Sequence, residues 1–139
     1  MPGSTQLTEA QREQRRQART THGGRSEPRV KAVATIQKRR LLRQIGLRLG
    51  DLDAVAFGYL DLWARAQSKV ELYDGWAAEH GYLTAAGESP SWVREYFAAI
   101  NSARLALAKL ADHLKQRGGE PSMVMLLQGE ARRLENGKP

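Results

Sequence analysis

The stretch 51–117 constrains this chain most, because it reads as two amphipathic helices joined by a heavily punctuated connection. The first runs from Asp51, read as its N-cap, to about His80, where Gly81-Tyr82-Leu83 stops it. The second opens at Glu88-Ser89-Pro90-Ser91 and runs to about Arg117, where Gly118-Gly119 ends it. A Gly just past a helix supplies the left-handed C-cap, and a Pro in the first turn gives up only an N–H that has no helical partner. Neither period-2 alternation nor an internal repeat is present, so the chain is expected to be all-α.

Placed at 100° per residue, Leu52, Val55, Ala56, Tyr59, Leu60, Leu62, Trp63, Ala66, Val70, Tyr73 and Ala77 of the first helix fall within an arc of roughly 160°. Phe57, Leu72 and Trp76 lie outside it. In the second helix Trp92, Val93, Tyr96, Phe97, Ile100, Ala103, Leu107, Leu110, Ala111 and Leu114 fill a similar arc, with Leu105 as the outlier. Two helices cover each other's centres but not such wide flanks, so another helix or another subunit must cover the rest. Phe57, Leu72, Trp76 and Leu105 are the candidate contacts between subunits; the alternative is that all the aromatics are ordinary monomer core.

A third helical segment, about 29–49, carries an apolar stripe of Val30, Ala34, Leu41, Ile45 and Leu49 and is broken by Gly50. Arg39, Arg40 and Arg43 project away from that stripe, so one face can pack while the other meets phosphate. Ahead of it, Thr8-Glu9-Ala10-Gln11 resembles a capping box for a polar helix to about Thr20, and residues 22–28 form a linker by composition. At the other end Glu120-Pro121 starts a short helix through Met123, Val124, Met125, Leu126 and Leu127, and residues 129–139 are expected to be a mobile tail. The organisation is therefore a basic arm over 1–28, a basic amphipathic helix over 29–50, a hairpin core over 51–119, and a short helix with its tail over 120–139.

Charge is uneven along the 139 residues. Residues 1–50 hold twelve cations (Arg12, Arg15, Arg16, Arg19, Arg25, Arg29, Lys31, Lys38, Arg39, Arg40, Arg43, Arg48) against three acids, a net +9. The remainder holds ten against twelve, a net −2, for +7 overall. Arg presents a planar fork suited to phosphate oxygens. A basic arm on a near-neutral body is the footprint of a nucleic-acid binder, and all of these cations except Arg48 are the candidate DNA contacts. The plainer alternative is a solvated tail; an anionic membrane surface is disfavoured by the lack of aromatic anchors in this segment. No apolar run approaches the ~20 residues of a membrane span, and no apolar signal core opens the chain. The absence of Cys suits a reducing cytoplasm and removes disulfides, thiolate metal sites and Cys nucleophiles.

The order Tyr59-x-x-x-Trp63, Trp76-x-x-x-His80-Gly81-Tyr82-Leu83, a loop with Gly87, and Ser89-Pro90 opening a long Ala/Leu-rich helix resembles the small subunits of phage terminases over about 51–127. The chain departs from that family at Ser89, where Asn or His commonly precedes the Pro, and at Arg117-Gly118-Gly119-Glu120-Pro121, where a Leu-Gly-Leu step is usual. The resemblance implies a non-enzymatic component of a packaging motor acting in the host cell cytoplasm. Such a protein forms a homo-oligomeric ring, binds double-stranded viral DNA and delivers it to a terminase large subunit, with no cofactor or metal of its own. A repeated weak phosphate contact gains from ring avidity.

A search for catalytic groups finds little. His22, His80 and His113 stand apart with no partner spaced for a metal site. His80 beside Gly81 reads as a cation at a helix C-terminus. Asp51, Asp53, Asp61, Asp74 and Glu79 interleave with Arg65 and Lys69 as a solvated face does. Gly46-Leu47-Arg48-Leu49-Gly50 lacks the Lys and preceding strand of a phosphate-binding loop. Two alternatives stay open: a small transcriptional or nucleoid regulator, for which residues 8–28 supply a poor partner helix, and a virion structural or adaptor protein.

Overall fold

The structure is a computed structural model and describes residues 8–10, 26–81, 87 and 91–135. Four α-helices are delimited among the described residues: α1 Glu27–Ile45, α2 Ala54–His80, α3 Trp92–Gln116 and α4 Pro121–Glu135, with a 3-10 turn at Leu49–Asp51. No strand occurs among the described residues, so the expected all-α class holds. The helix expected over 8–20 and the first part of the linker lie outside the described residues, apart from Thr8, Glu9 and Ala10.

Helices α2 and α3 form the hairpin; α1 lies against α2, α4 lies against α3, and α1 and α4 touch. One core joins all four. Leu41, Leu42 and Ile45 of α1 meet Leu60, Trp63 and Ala64 of α2; Ala103, Leu107 and Leu110 of α3 complete it with Met123, Val124 and Leu127 of α4. Alanines at 56, 64, 66, 103, 106 and 111 are buried in the same core, where small side chains let helix axes approach. A second, smaller core of Tyr73, Ala77 and Trp92, backed by Trp76, Val93 and Tyr96, sits nearer the loop end of the hairpin. That end extends past the outer helices. Glu27, the first residue of α1, pairs with Arg65 midway along α2, and Glu135, the last of α4, shares a groove with Arg104 midway along α3.

Helix ends follow from backbone chemistry, and several differ from the sequence expectation. Pro28 opens α1 beside Glu27. The helix stops at Gly46, not Gly50: Gly46 takes φ 74°, and the Leu47 N–H bonds the Leu42 carbonyl at 3.0 Å, closing a Schellman cap. Asp51 is not the cap of α2. Asp53 is, its carboxylate accepting from the Ala56 N–H at 2.8 Å, while Asp51 accepts from the Arg48 N–H at 2.9 Å and closes the 3-10 turn. Gly81 ends α2 at φ 78° as expected.

At the end of α3, Gly118 takes φ 79° and the Gly119 N–H bonds the Leu114 carbonyl at 2.8 Å. A Cβ at position 119 would stand 2.8 Å from that carbonyl oxygen, so the tight turn into α4 requires glycine. Helix α4 is longer than its sequence suggests. It passes through Gly129 to Glu135 because Met123, Val124, Leu127 and Ala131 hold one buried face at helical spacing, and docking outweighs the ~1 kcal/mol that a mid-helix Gly costs. The expected mobile tail is thus helical through residue 135; residues 136–139 lie outside the described residues.

Candidate nucleic-acid interface

Helix α1 divides cleanly by chemistry. Val30, Ala34, Gln37, Leu41, Leu42 and Ile45 are buried against the hairpin. Arg29, Arg39, Arg40 and Arg43 are exposed, and at 100° per residue they fall within about 100° on the opposite side. The span from Arg29 to Arg43 is about 21 Å of helix. Lys31 is also exposed. Glu27, the one acid on α1, is engaged by Arg65. Among the described residues no carboxylate pairs with Arg29, Arg39, Arg40 or Arg43, which leaves four guanidinium groups directed at solvent.

Lys38 differs from the other candidate DNA contacts. It is partly buried, its Nζ donates to Asp61 at 2.8 Å, and it sits 5.4 Å from the centre of the Phe57 ring. Lys38 therefore serves mainly to join α1 to α2, and its phosphate-binding capacity is reduced. Arg12, Arg15, Arg16, Arg19 and Arg25 lie outside the described residues.

The four candidate contacts between subunits do not share one environment. Phe57 is 41% exposed at the start of α2 beside Lys38, and Leu105 is 42% exposed on α3. Leu72 is half-buried. Trp76 is also half-buried and packs inside its own hairpin, stacked on His80 at 4.6 Å and edge-on to Trp92 at 5.3 Å. In turn, Val55, Leu62 and Phe97, which the helical arcs place in the core, are exposed; Leu62 and Phe97 reach 60% and 62%. The apolar surface open to a neighbour is thus carried by Val55, Leu62, Phe97 and Leu105 together with Phe57, and by Ile36, Leu49 and Met125.

Near the loop end, polar groups bind the hairpin across its two helices. The Tyr73 hydroxyl donates to Glu95 at 2.7 Å and the Tyr96 hydroxyl donates to Asp74 at 2.6 Å, a reciprocal pair of tyrosine–carboxylate bonds. Tyr73 also stacks on Trp92 with ring centres 5.3 Å apart. His80 lies at the helix end as expected, its Nδ1 3.1 Å from the Trp76 carbonyl.

One polar cluster has no counterpart among the sequence expectations. His113 Nε2 lies 2.9 and 2.8 Å from the two carboxylate oxygens of Asp53, and Arg117 Nη2 is 2.9 Å from the same group. The Ala56 N–H, the His113 hydrogen bond and the nearby positive charge of His113 and Arg117 hold the Asp53 carboxyl below its usual range, against a smaller opposing effect of burial. The signal in the sequence is the Asp at a helix start; its partner lies 60 residues away and no local pattern marks it.

Two grooves flank α1. One, of about 510 Å³, lies at its C-terminal end and is lined by Lys38, Arg39, Arg43 and Arg48 above Leu47, Leu49 and Phe57. The other, of about 440 Å³, runs between α1, α2 and α4 past Gln37, Arg40 and Trp63. Gln37 is only 5% exposed, and the Trp63 indole N–H has no partner among the described residues. Among the described residues no cluster of three His, Cys, Asp or Glu side chains is placed to hold a metal ion, and no helix is long and apolar enough to cross a membrane.

Comparison with protein families, curated proteins and solved structures returns no match to this chain. The functional reading therefore rests on its own residues.

Proposed function

We propose that this protein is the non-catalytic DNA-recognition subunit of a viral genome-packaging motor, of the terminase small-subunit type. In this reading it binds double-stranded viral DNA in the host cell cytoplasm and passes it to a large subunit that carries the ATPase and nuclease. The observation that carries the DNA part is the α1 face. Arg29, Arg39, Arg40 and Arg43 point to solvent without carboxylate partners among the described residues, while the opposite stripe anchors the helix to the hairpin. A rigid row of guanidinium groups suits phosphate oxygens, and the basic residues before α1 add further charge. The exposed apolar side chains Leu62, Phe97 and Leu105 supply surface for a ring of copies, in which each copy's modest phosphate affinity is multiplied. The packaging role rests on the resemblance of residues 51–127.

The test joins three measurements on the full-length chain: mass by light scattering, affinity for duplex DNA as a function of salt, and co-purification with a terminase large subunit. A closed oligomer larger than a dimer, a steep salt dependence and capture of the large subunit are expected. A monodisperse monomer, or duplex binding unaffected by the joint Arg39→Ala, Arg40→Ala, Arg43→Ala change, overturns the reading. A dimer with strong sequence preference and no large-subunit binding favours a transcriptional or nucleoid regulator instead.

A further inference from the structure

We propose that the groove at the C-terminal end of α1 receives an acidic amphipathic helix from a partner protein, and that this helix competes with duplex DNA for Arg39 and Arg43. The groove exists because α1 stops early. Gly46 turns the chain through its left-handed cap, and the following residues run beside the helix they have just left, so Leu47 and Leu49 lie next to Arg39 and Arg43. Phe57, from the first turn of α2, forms the far wall. Leu49 and Phe57 are both substantially exposed there.

The occupant follows from the lining. A duplex presents phosphates to cations but offers nothing to an apolar floor of Leu42, Leu47, Leu49 and Phe57. One side of the Phe57 ring already carries Lys38, which leaves a poor platform for a stacked base. An amphipathic helix satisfies both parts, setting Leu or Phe anchors on Leu47, Leu49 and Phe57 while carboxylates reach Arg39, Arg43 and Arg48. No acidic side chain lines the groove among the described residues. The chain's own residues outside the described ones cannot supply the charge, since they hold six Lys/Arg and two acids, Glu13 and Glu88. We therefore assign the groove to an acidic helix of a separate molecule rather than to these segments. Only the competition rests on the DNA reading; the groove and its occupant do not.

The experiment uses the full-length protein and a fluorescein-labelled helical peptide with Leu and Phe at i, i+3, i+4 and i+7 and Glu elsewhere. A scrambled peptide of the same composition and an oligothymidine are measured beside it. The patterned peptide should bind about tenfold tighter than the scrambled one. Phe57→Ala and Leu49→Ser should each weaken it by about tenfold, Arg43→Ala should weaken both peptide and duplex, and added duplex should displace the peptide. Equal binding of the scrambled peptide, no binding, or indifference to both Phe57→Ala and Leu49→Ser overturns the proposal. So does a loss confined to oligothymidine, which assigns the groove to single-stranded nucleic acid, or a fall in oligomer mass without peptide binding, which assigns it to a second copy. If the wild type binds the peptide but no duplex, the DNA reading fails and the groove stands.

Discussion

His113, three residues before the end of α3, donates through Nε2 to both oxygens of Asp53, the residue that caps the start of α2. An ionised carboxylate only accepts, so the ring nitrogen facing it must carry the proton. One side chain thereby satisfies a helix N-terminus and ties together the two ends of the hairpin remote from its loop. Arg117 adds a further donor to the same carboxylate.

Acid should release this tie. Because the Asp53 carboxyl titrates below its unfolded value of 3.8 in the folded chain, its contribution is complete above that value and is lost as pH falls through the lower folded one. Thermal unfolding followed by circular dichroism should show a drop in melting temperature across this window. Asp53→Asn should melt lower at neutral pH and show a shallower decline with acid. An unchanged acid slope in that variant would falsify the assignment.

Core substitutions should separate the two clusters. Leu60 is fully buried among all four helices, so Leu60→Ala should cost ~2–5 kcal/mol in urea unfolding. Trp63→Ala should cost ~3–5 kcal/mol. Trp76→Ala removes a half-buried ring stacked on His80, so a smaller loss is expected, concentrated in near-ultraviolet aromatic signals from the loop end.

Gly119→Ala tests the α3–α4 turn. Its Cβ would meet the Leu114 carbonyl oxygen and the Met123 side chain, and rigid backbone cannot yield as a flexible tip does. The variant should melt lower and expose its α4 junction to limited proteolysis. A Gly129→Ala change, in open space on α4, should instead raise stability by up to about 1 kcal/mol. The reverse order would show that the turn is not built as described.

Salt titrations should count the arginines. Every phosphate-binding cation removed should reduce the slope of log K against log salt by ~0.9. Arg39→Ala, Arg40→Ala and Arg43→Ala should therefore shift the slope one step at a time, whereas Lys38→Ala, whose cation already serves Asp61, should change melting temperature more than slope. Removing residues 1–25 measures the share of the preceding cations.

Much of the architecture is legible because glycine and proline act locally. Gly81, Gly118-Gly119 and Pro121 mark their boundaries through φ and the missing N–H, and no distant contact overrides them. The apolar period of α1 continues to Leu49 and so points to Gly50 rather than Gly46, although Leu49 is exposed; periodicity alone cannot tell a buried leucine from one left beside a turn. The helical arcs misplace Val55, Leu62 and Phe97 for a related reason. A wheel reports which residues share a side, while burial depends on which part of that side the neighbouring helices cover. The Asp53–His113 bond needs the hairpin to exist before it can be seen. The basic face of α1 is readable since charge and apolar stripe alternate within one helix, but the groove at its end requires the path of residues 46–53.

The loop end of the hairpin reaches beyond both α1 and α4, and among the described residues two helices hold each other there without a third. Regions of few covering layers open at lower free energy than the body they extend from. Amide hydrogens around Tyr73 and Tyr96 should accordingly exchange with deuterium sooner than those around Leu60 and Leu107, through partial openings that leave the four-helix body closed. A neighbouring copy seated on Phe97 would slow that exchange selectively, so the deuterium pattern itself reports whether this projecting arm is covered.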